Sequence, residues 1–207
     1  MVRRTDDSLK DVLRDYRRDQ VIDVARRLFG ERGTTDVSMD EIAAEAGVAR
    51  STVYVYFANR DELLRACLKR MHTQLLEGIA QAWGSDSSPE ERLSALVEGM
   101  FERLDDNPAF FRLALTTQDA VSQGGAAVGS ELALIGLDIA RLIRDLVDEG
   151  QKAGRFRAGE PDRLTSLIGQ QIFGAMSVRA GDPVPAPRHE AAVGTTDFIL
   201  YGLARPG

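Results

Sequence analysis

The chain has 207 residues, 43% of them apolar, enough for a sizeable core in one large domain or in a small domain joined to a medium one. Its formal charge of −6 argues against a protein that coats nucleic acid indiscriminately, yet residues 1–70 hold 14 Lys and Arg against 13 Asp and Glu while the remainder hold 12 against 19, so an anionic partner would meet the N-terminal third. A single cysteine, Cys67, excludes an internal disulfide and a multi-cysteine metal site, and neither a membrane-length apolar run nor a signal-peptide centre is present, which reads as a soluble, cytoplasmic protein.

Leu9, Val12, Leu13 and Tyr16 continue upstream the helical spacing of Val21, Val24, Ala25, Leu28 and Phe29. Two readings are open there: a first helix extended toward the N-terminus, or a mobile arm that carries Arg3 and Arg4 to a phosphate backbone or minor groove. Ser38 followed by Glu41 is a capping box, which predicts a helix start, and Gly47 supplies the left-handed turn that ends that helix after Ala46. Asn59 with Glu62 repeats the signal and opens a long helix reaching about Trp83. Amphipathic stripes recur at Leu93–Leu104, Ile135–Leu146, Leu164–Ile172 and Thr196–Leu203, and the seven prolines all fall outside them. The chain is therefore expected to be all-α, with "GDPVPAPRH" (181–189) as a surface loop. "GGAAVGS" (124–130) lacks the lysine of a phosphate-binding loop and reads as a flexible connector.

One segment resists this pattern. Thr52 to Phe57 alternates β-branched and aromatic residues as an exposed strand would, but only about ten residues separate the Gly47 stop from the Asn59 start, and no partner strand is nearby. Coiled as a helix, the segment turns Val53, Tyr56 and Phe57 inward and presents Arg50, Ser51, Tyr54 and Val55 outward. Such a mixed face suits base edges: arginine grips guanine with two hydrogen bonds, serine serves several bases, and tyrosine or valine touches a thymine methyl. The alternative is that Tyr54 and Tyr56 only cover a helix junction.

The stretch "DEIAAEAGVARSTVYVYFANRDELL" (40–64), within residues 16–68, resembles the DNA-binding domain of TetR-family (tetracycline repressor type) transcriptional regulators. The resemblance implies an N-terminal three-helix bundle with a helix-turn-helix over residues 1–62, joined by a long helix to a C-terminal helical domain over 63–207 that dimerises and binds a small, largely apolar effector. It further implies a homodimer on a palindromic double-stranded DNA operator, a repressor released by its effector, with no cofactor. Carried over by position, Arg50, Ser51, Thr52 and Tyr54 fall on the recognition helix, Tyr56 and Arg60 fall where the family contacts phosphate, and Ser38 opens the preceding helix. Ala49 stands where the family usually has a capping Ser or Thr, so that cap is expected to be unmade and the helix to start late. Arg60 replaces the usual lysine.

The C-terminal region is less explicit. Candidate effector contacts are Trp83, Phe101, Phe110, Phe111, Leu115, Gln118, Gln170, Gln171 and Phe173, aromatic, apolar or amide residues that break a pure core pattern. Gln171 leads because an amide on the stripe of Leu164, Leu167 and Ile168 needs a partner. The segments 131–153 and 161–180 are expected to form the dimer surface, since Gly169, Gly174 and Ala175 permit close helix approach. Two rivals fit the same composition: a DNA-bound regulator without an effector, controlled by a protein partner, and an enzyme. The second finds little raw material, because His72 and His189 are the only histidines and read as surface side chains.

Overall fold

The computed structural model describes residues 3–84, 86–112 and 126–203. Among them lie α1 (Arg3–Arg32), α2 (Met39–Glu45), α3 (Arg50–Tyr56), α4 (Arg60–Ala82), α5 (Pro89–Asp106), α6 (Ala126–Lys152), α7 (Pro161–Gly181) and α8 (Arg188–Leu203), with a short helical stretch at 108–112 and no strand. The all-α expectation holds. Leu115 and Gln118 fall outside the described residues.

Local chemistry sets the boundaries. The Ser38 hydroxyl accepts from the Glu41 N–H while the Glu41 carboxylate accepts from the Ser38 N–H at 2.8 Å, so the predicted capping box is made. Ser88 and Glu91 make a second box, with Pro89 at the first helical position where its missing N–H costs nothing. At the start of α7 the Glu160 carboxylate accepts from the backbone N–H groups of Asp162 and Arg163. The arm question resolves toward helix, since α1 begins at Arg3; Val12, Leu13 and Tyr16 on its upstream part are exposed. The connector reading of 124–130 is corrected over its described part, 126–130, residues 124 and 125 lying outside the described residues: Ala126 to Ser130 form the first turns of α6, because Val128 is 7% exposed and packs into a core, which outweighs the low helix propensity of Gly129.

Two apolar cores result. The first gathers Val21, Ala25 and Phe29 of α1, Ile42 of α2, Val53 and Phe57 around α3, and Leu63, Leu64, Cys67 and Leu68 of α4. The second gathers Leu75 and Ile79 of α4, Leu96, Val97 and Phe101 of α5, Ile143 and Leu146 of α6, Ile168 and Ile172 of α7, and Ile199 of α8. Helix α4 thus belongs to both, giving its first turns to one and its last turns to the other. Phe110 and Val128 also cross over: both are buried in the first core, where the Phe110 ring meets Phe29 edge to face at 6.2 Å. His72 sits mostly buried on α4, not at the surface, with Nε2 3.5 Å from Asp138 of α6; His189 is exposed as expected.

Candidate nucleic-acid interface and effector region

The turn between α2 and α3 is built from backbone hydrogen bonds. Gly47, at φ +63°, sends its N–H to Ala44, and Val48 sends its own to Ala43 at 3.0 Å, which closes α2 in the paired-bond manner that left-handed glycine allows. Val48 is thereby folded back against the first core. Ala49 makes no side-chain cap, as expected, yet α3 begins at Arg50 without delay, since the Thr52 N–H reaches the Ala49 carbonyl at 2.8 Å.

The strand-like segment is helical, and packing explains it. Val53 is 0% and Phe57 1% exposed, so the segment gains more from burying these two than its weak helix propensity costs. The opposite face is open: Arg50, Ser51, Tyr54 and Val55 are exposed, with Val55 at 76%. Thr52 is half-buried at the edge of that face, and Ser38 is exposed at the start of α2. Nε of Arg50 lies 2.8 Å from Oδ1 of Asp40, in the first turn of α2, and its guanidinium stands 5.6 Å over the Tyr54 ring. The Tyr54 hydroxyl and the Asp40 carboxylate both raise the pKa of Arg50 above its already high value, which keeps it cationic.

The two remaining DNA candidates are placed differently. Tyr56 is half-buried, edge to face with Phe57. Arg60 lies with its guanidinium 5.5 Å over Phe29, and its Nε and one terminal nitrogen are buried without a hydrogen-bond partner. Each presents part of its side chain at the seam between α3 and α4. Asp40, not singled out from sequence, stands on the same face as Arg50; ten residues of separation across a turn carry no periodic signal.

The effector candidates are spread over several environments. Trp83 donates its indole N–H to the Arg92 carbonyl at 3.1 Å, Phe101 is 1% exposed in the second core, and Phe110 is in the first. Phe111 and Phe173 come together at 5.5 Å, linking the stretch after α5 to α7. Gln170 is exposed, whereas Gln171 is half-buried at a depression of about 210 Å³ between α7 and α8 that also has Leu167, Ile168, Phe198 and Arg157 in its walls. The same two helices carry further exposed apolar side chains, Val178 on α7 and Val193 and Tyr201 on α8, besides the Leu167 and Phe198 of the depression itself.

Comparison with known proteins accords with this architecture. The family described as "Bacterial regulatory proteins, tetR family" matches residues 21–67, and "Tetracyclin repressor-like, C-terminal domain" matches residues 89–180. The transcriptional activator FasR of Mycolicibacterium smegmatis is 30% identical over 193 residues, covering 92% of this chain and 84% of that protein. The fatty acid metabolism regulator protein of Bacillus subtilis is 26% identical over 157 residues, covering 76% and 78%. The crystal structure of the regulator FadR from Bacillus subtilis with stearoyl-CoA superposes with a TM-score of 0.74 at 20% identity, over 89% of this chain and 98% of that one. With an exposed face on α3, a second helical core and a relative 30% identical over most of both chains, the chain belongs to the TetR family of bacterial transcriptional regulators.

Proposed function

We propose that the protein is a ligand-responsive repressor that binds a palindromic operator as a homodimer through residues 1–62 and is released when an apolar effector occupies residues 63–207. One observation carries the reading: with Val53 and, just past the end of α3, Phe57 fully committed to the core, Arg50, Ser51, Tyr54 and Val55 present an exposed face to solvent. In this reading Arg50, Ser51, Thr52 and Tyr54 read bases, while Ser38, Tyr56 and Arg60 meet phosphates. Arg60 reaches a phosphate by swinging off the Phe29 ring, a move favoured by its unpartnered buried nitrogens.

The homodimer pairs α7 and α8 with their copies, since the exposed Leu167, Val178, Phe198 and Tyr201 lie there beside Gly174, Gly194 and Gly202, which have open space around them. Helix α6, which also falls in the segment 131–153 expected to share this surface, commits Ile139, Ile143 and Leu146 to the core and leaves Leu134 and Leu137 exposed and available to the same contact. The effector is a long-chain acyl compound, the class that the FadR structure holds as stearoyl-CoA. Its contacts are drawn from Trp83, Phe101, Phe110, Phe111, Leu115, Gln118, Gln170, Gln171 and Phe173. Coupling runs through α4, which spans both cores, and through Phe110, which is seated against Phe29 in the first: a shift of either moves Phe29 and the recognition helices, and half-sites about 34–36 Å apart tolerate little displacement. No helix among the described residues is long and apolar enough to cross a membrane, in keeping with a cytoplasmic regulator.

Selection from random duplexes tests the DNA half of the reading. A symmetric site should emerge, with affinity falling steeply in salt; Arg50→Ala should lose about 1–3 kcal/mol of discrimination at one base pair per half-site. An equal loss on every sequence would instead make Arg50 a phosphate contact. A saturated long-chain acyl-CoA should raise the melting temperature and release the selected duplex; release by none of a chain-length series would remove the acyl assignment.

A further inference from the structure

We propose that Asp40 is a specificity-determining residue: its carboxylate holds Arg50 by the inner nitrogen, so that the terminal amino groups are offered to a guanine edge and withheld from the nearest phosphate. The inference rests on the reading of α3 as the recognition helix and adds to it a residue on the preceding helix.

The geometry is specific. Oδ1 of Asp40 lies 2.8 Å from Nε of Arg50, and the side chains are 57% and 64% exposed, on the same outward face. Nε is the nitrogen that guanine recognition does not need; the bidentate grip on O6 and N7 uses donors further out on the guanidinium. The Tyr54 ring, 5.6 Å from the guanidinium carbon, supports it from one side. Arg50 is therefore held at two points before any duplex arrives, which lowers the ordering cost of a directed contact.

Apart from the modest benefit of a negative charge in the first turn of α2, the capping and pairing of that helix are carried by other residues. The Glu41 N–H is capped by the Ser38 hydroxyl, the return bond of the capping box comes from Glu41, and Glu41 is paired with Arg32 on α1. The remaining acid of α2, Glu45, pairs with Arg27. A pair as exposed as Asp40 with Arg50 adds little to stability. On a face meant for a polyanion, an aspartate is also a liability for indiscriminate binding, because it repels phosphate wherever Arg50 is not occupied with a base. An arginine left loose at that position would be drawn to the backbone, where the charge is greatest and carries no sequence information. The carboxylate thus converts a general attraction into a conditional one.

The test uses the full chain as wild type, Asp40→Ala, Asp40→Asn, Arg50→Ala and the double variant Arg50→Ala with Asp40→Ala. Each is carried through selection from random duplexes and titration against the selected and an unrelated duplex, with thermal unfolding as the control for folding. Wild type should select a guanine at one fixed position per half-site. Asp40→Ala should lower that preference roughly tenfold, the order expected for a bidentate contact, and bind the unrelated duplex more tightly. Asp40→Asn, which keeps an acceptor for Nε but not the charge, should show the gain on the unrelated duplex with a smaller loss of preference. The double variant should match Arg50→Ala at that base. Full preference retained in Asp40→Ala, or losses that add in the double variant, would overturn the inference while leaving the recognition helix intact. A wild type that selects no recurrent site would overturn the reading of α3 and this inference with it, a result easily told from the first.

Discussion

The thiol of Cys67 shows how strongly a single position can be governed by its surroundings. It lies in the first core with Sγ 3.7 Å from the Ile22 carbonyl oxygen, and burial pushes its pKa up to about 12. Only the thiolate attacks alkylating reagents, so the native protein should resist them at pH 8 and react fully in denaturant; fast labelling of the native chain would contradict this packing. Glu41 illustrates the opposite shift. Hydrogen bonds from the Ser38 N–H and hydroxyl, followed by Arg32, lower its pKa from 4.5 to about 2. Because the folded value is the lower one, the stabilisation is complete above pH 4.5 and is lost as pH falls from there toward 2. Glu41→Gln should accordingly flatten the decline of the melting temperature across that window, and an unchanged acid limb would argue against the box. The pattern Ser38 to Glu41 was legible in the sequence because its partners are three residues apart. Arg60 over Phe29, His72 facing Asp138 and Arg50 held by Asp40 were not, because each joins separate helices whose relative rotation no local pattern encodes.

Among the elements, α3 was readable less from its own residues than from the stop and start signals around it. Gly47 and Asn59 leave room for two helical turns and no more, and the burial of Val53 and Phe57 then overrides the extended preference of Thr52 to Phe57. The beginning of α6 was misread for the converse reason: its glycines suggest a connector, and only the distant core around Phe29 makes Val128 worth ordering. The far end of the same helix depends on a close approach. After Lys152 the chain reverses through Gly154, at φ +68°, and Phe156 returns to lie on Gly150. A Cβ at position 150 would stand 2.1 Å from the Phe156 ring. Gly150→Ala should therefore cost about 1–3 kcal/mol as the ring is displaced, read as a lower melting temperature; a variant as stable as wild type would mean that Phe156 has another site to occupy.

For the whole molecule, the sequence conveyed a small helical unit followed by a larger one but not how firmly they are joined. In the proposed dimer the exposed Phe198 and Tyr201 on α8 form the contact, beside glycines with open space around them. Phe198→Glu should place a charge at that contact and yield monomers in sedimentation, together with a loss of affinity for the selected duplex; an intact dimer would move the interface elsewhere. Phe110 and Val128 have a different significance. A fragment cut after residue 62 would surrender these two side chains along with Leu63, Leu64, Cys67 and Leu68, leaving Phe29 unroofed. The DNA-reading head is consequently not an independent module that could be grafted onto another regulator: its hydrophobic floor is laid by the chain that follows it, so whatever disturbs the body is felt in the head without any need for a hinge.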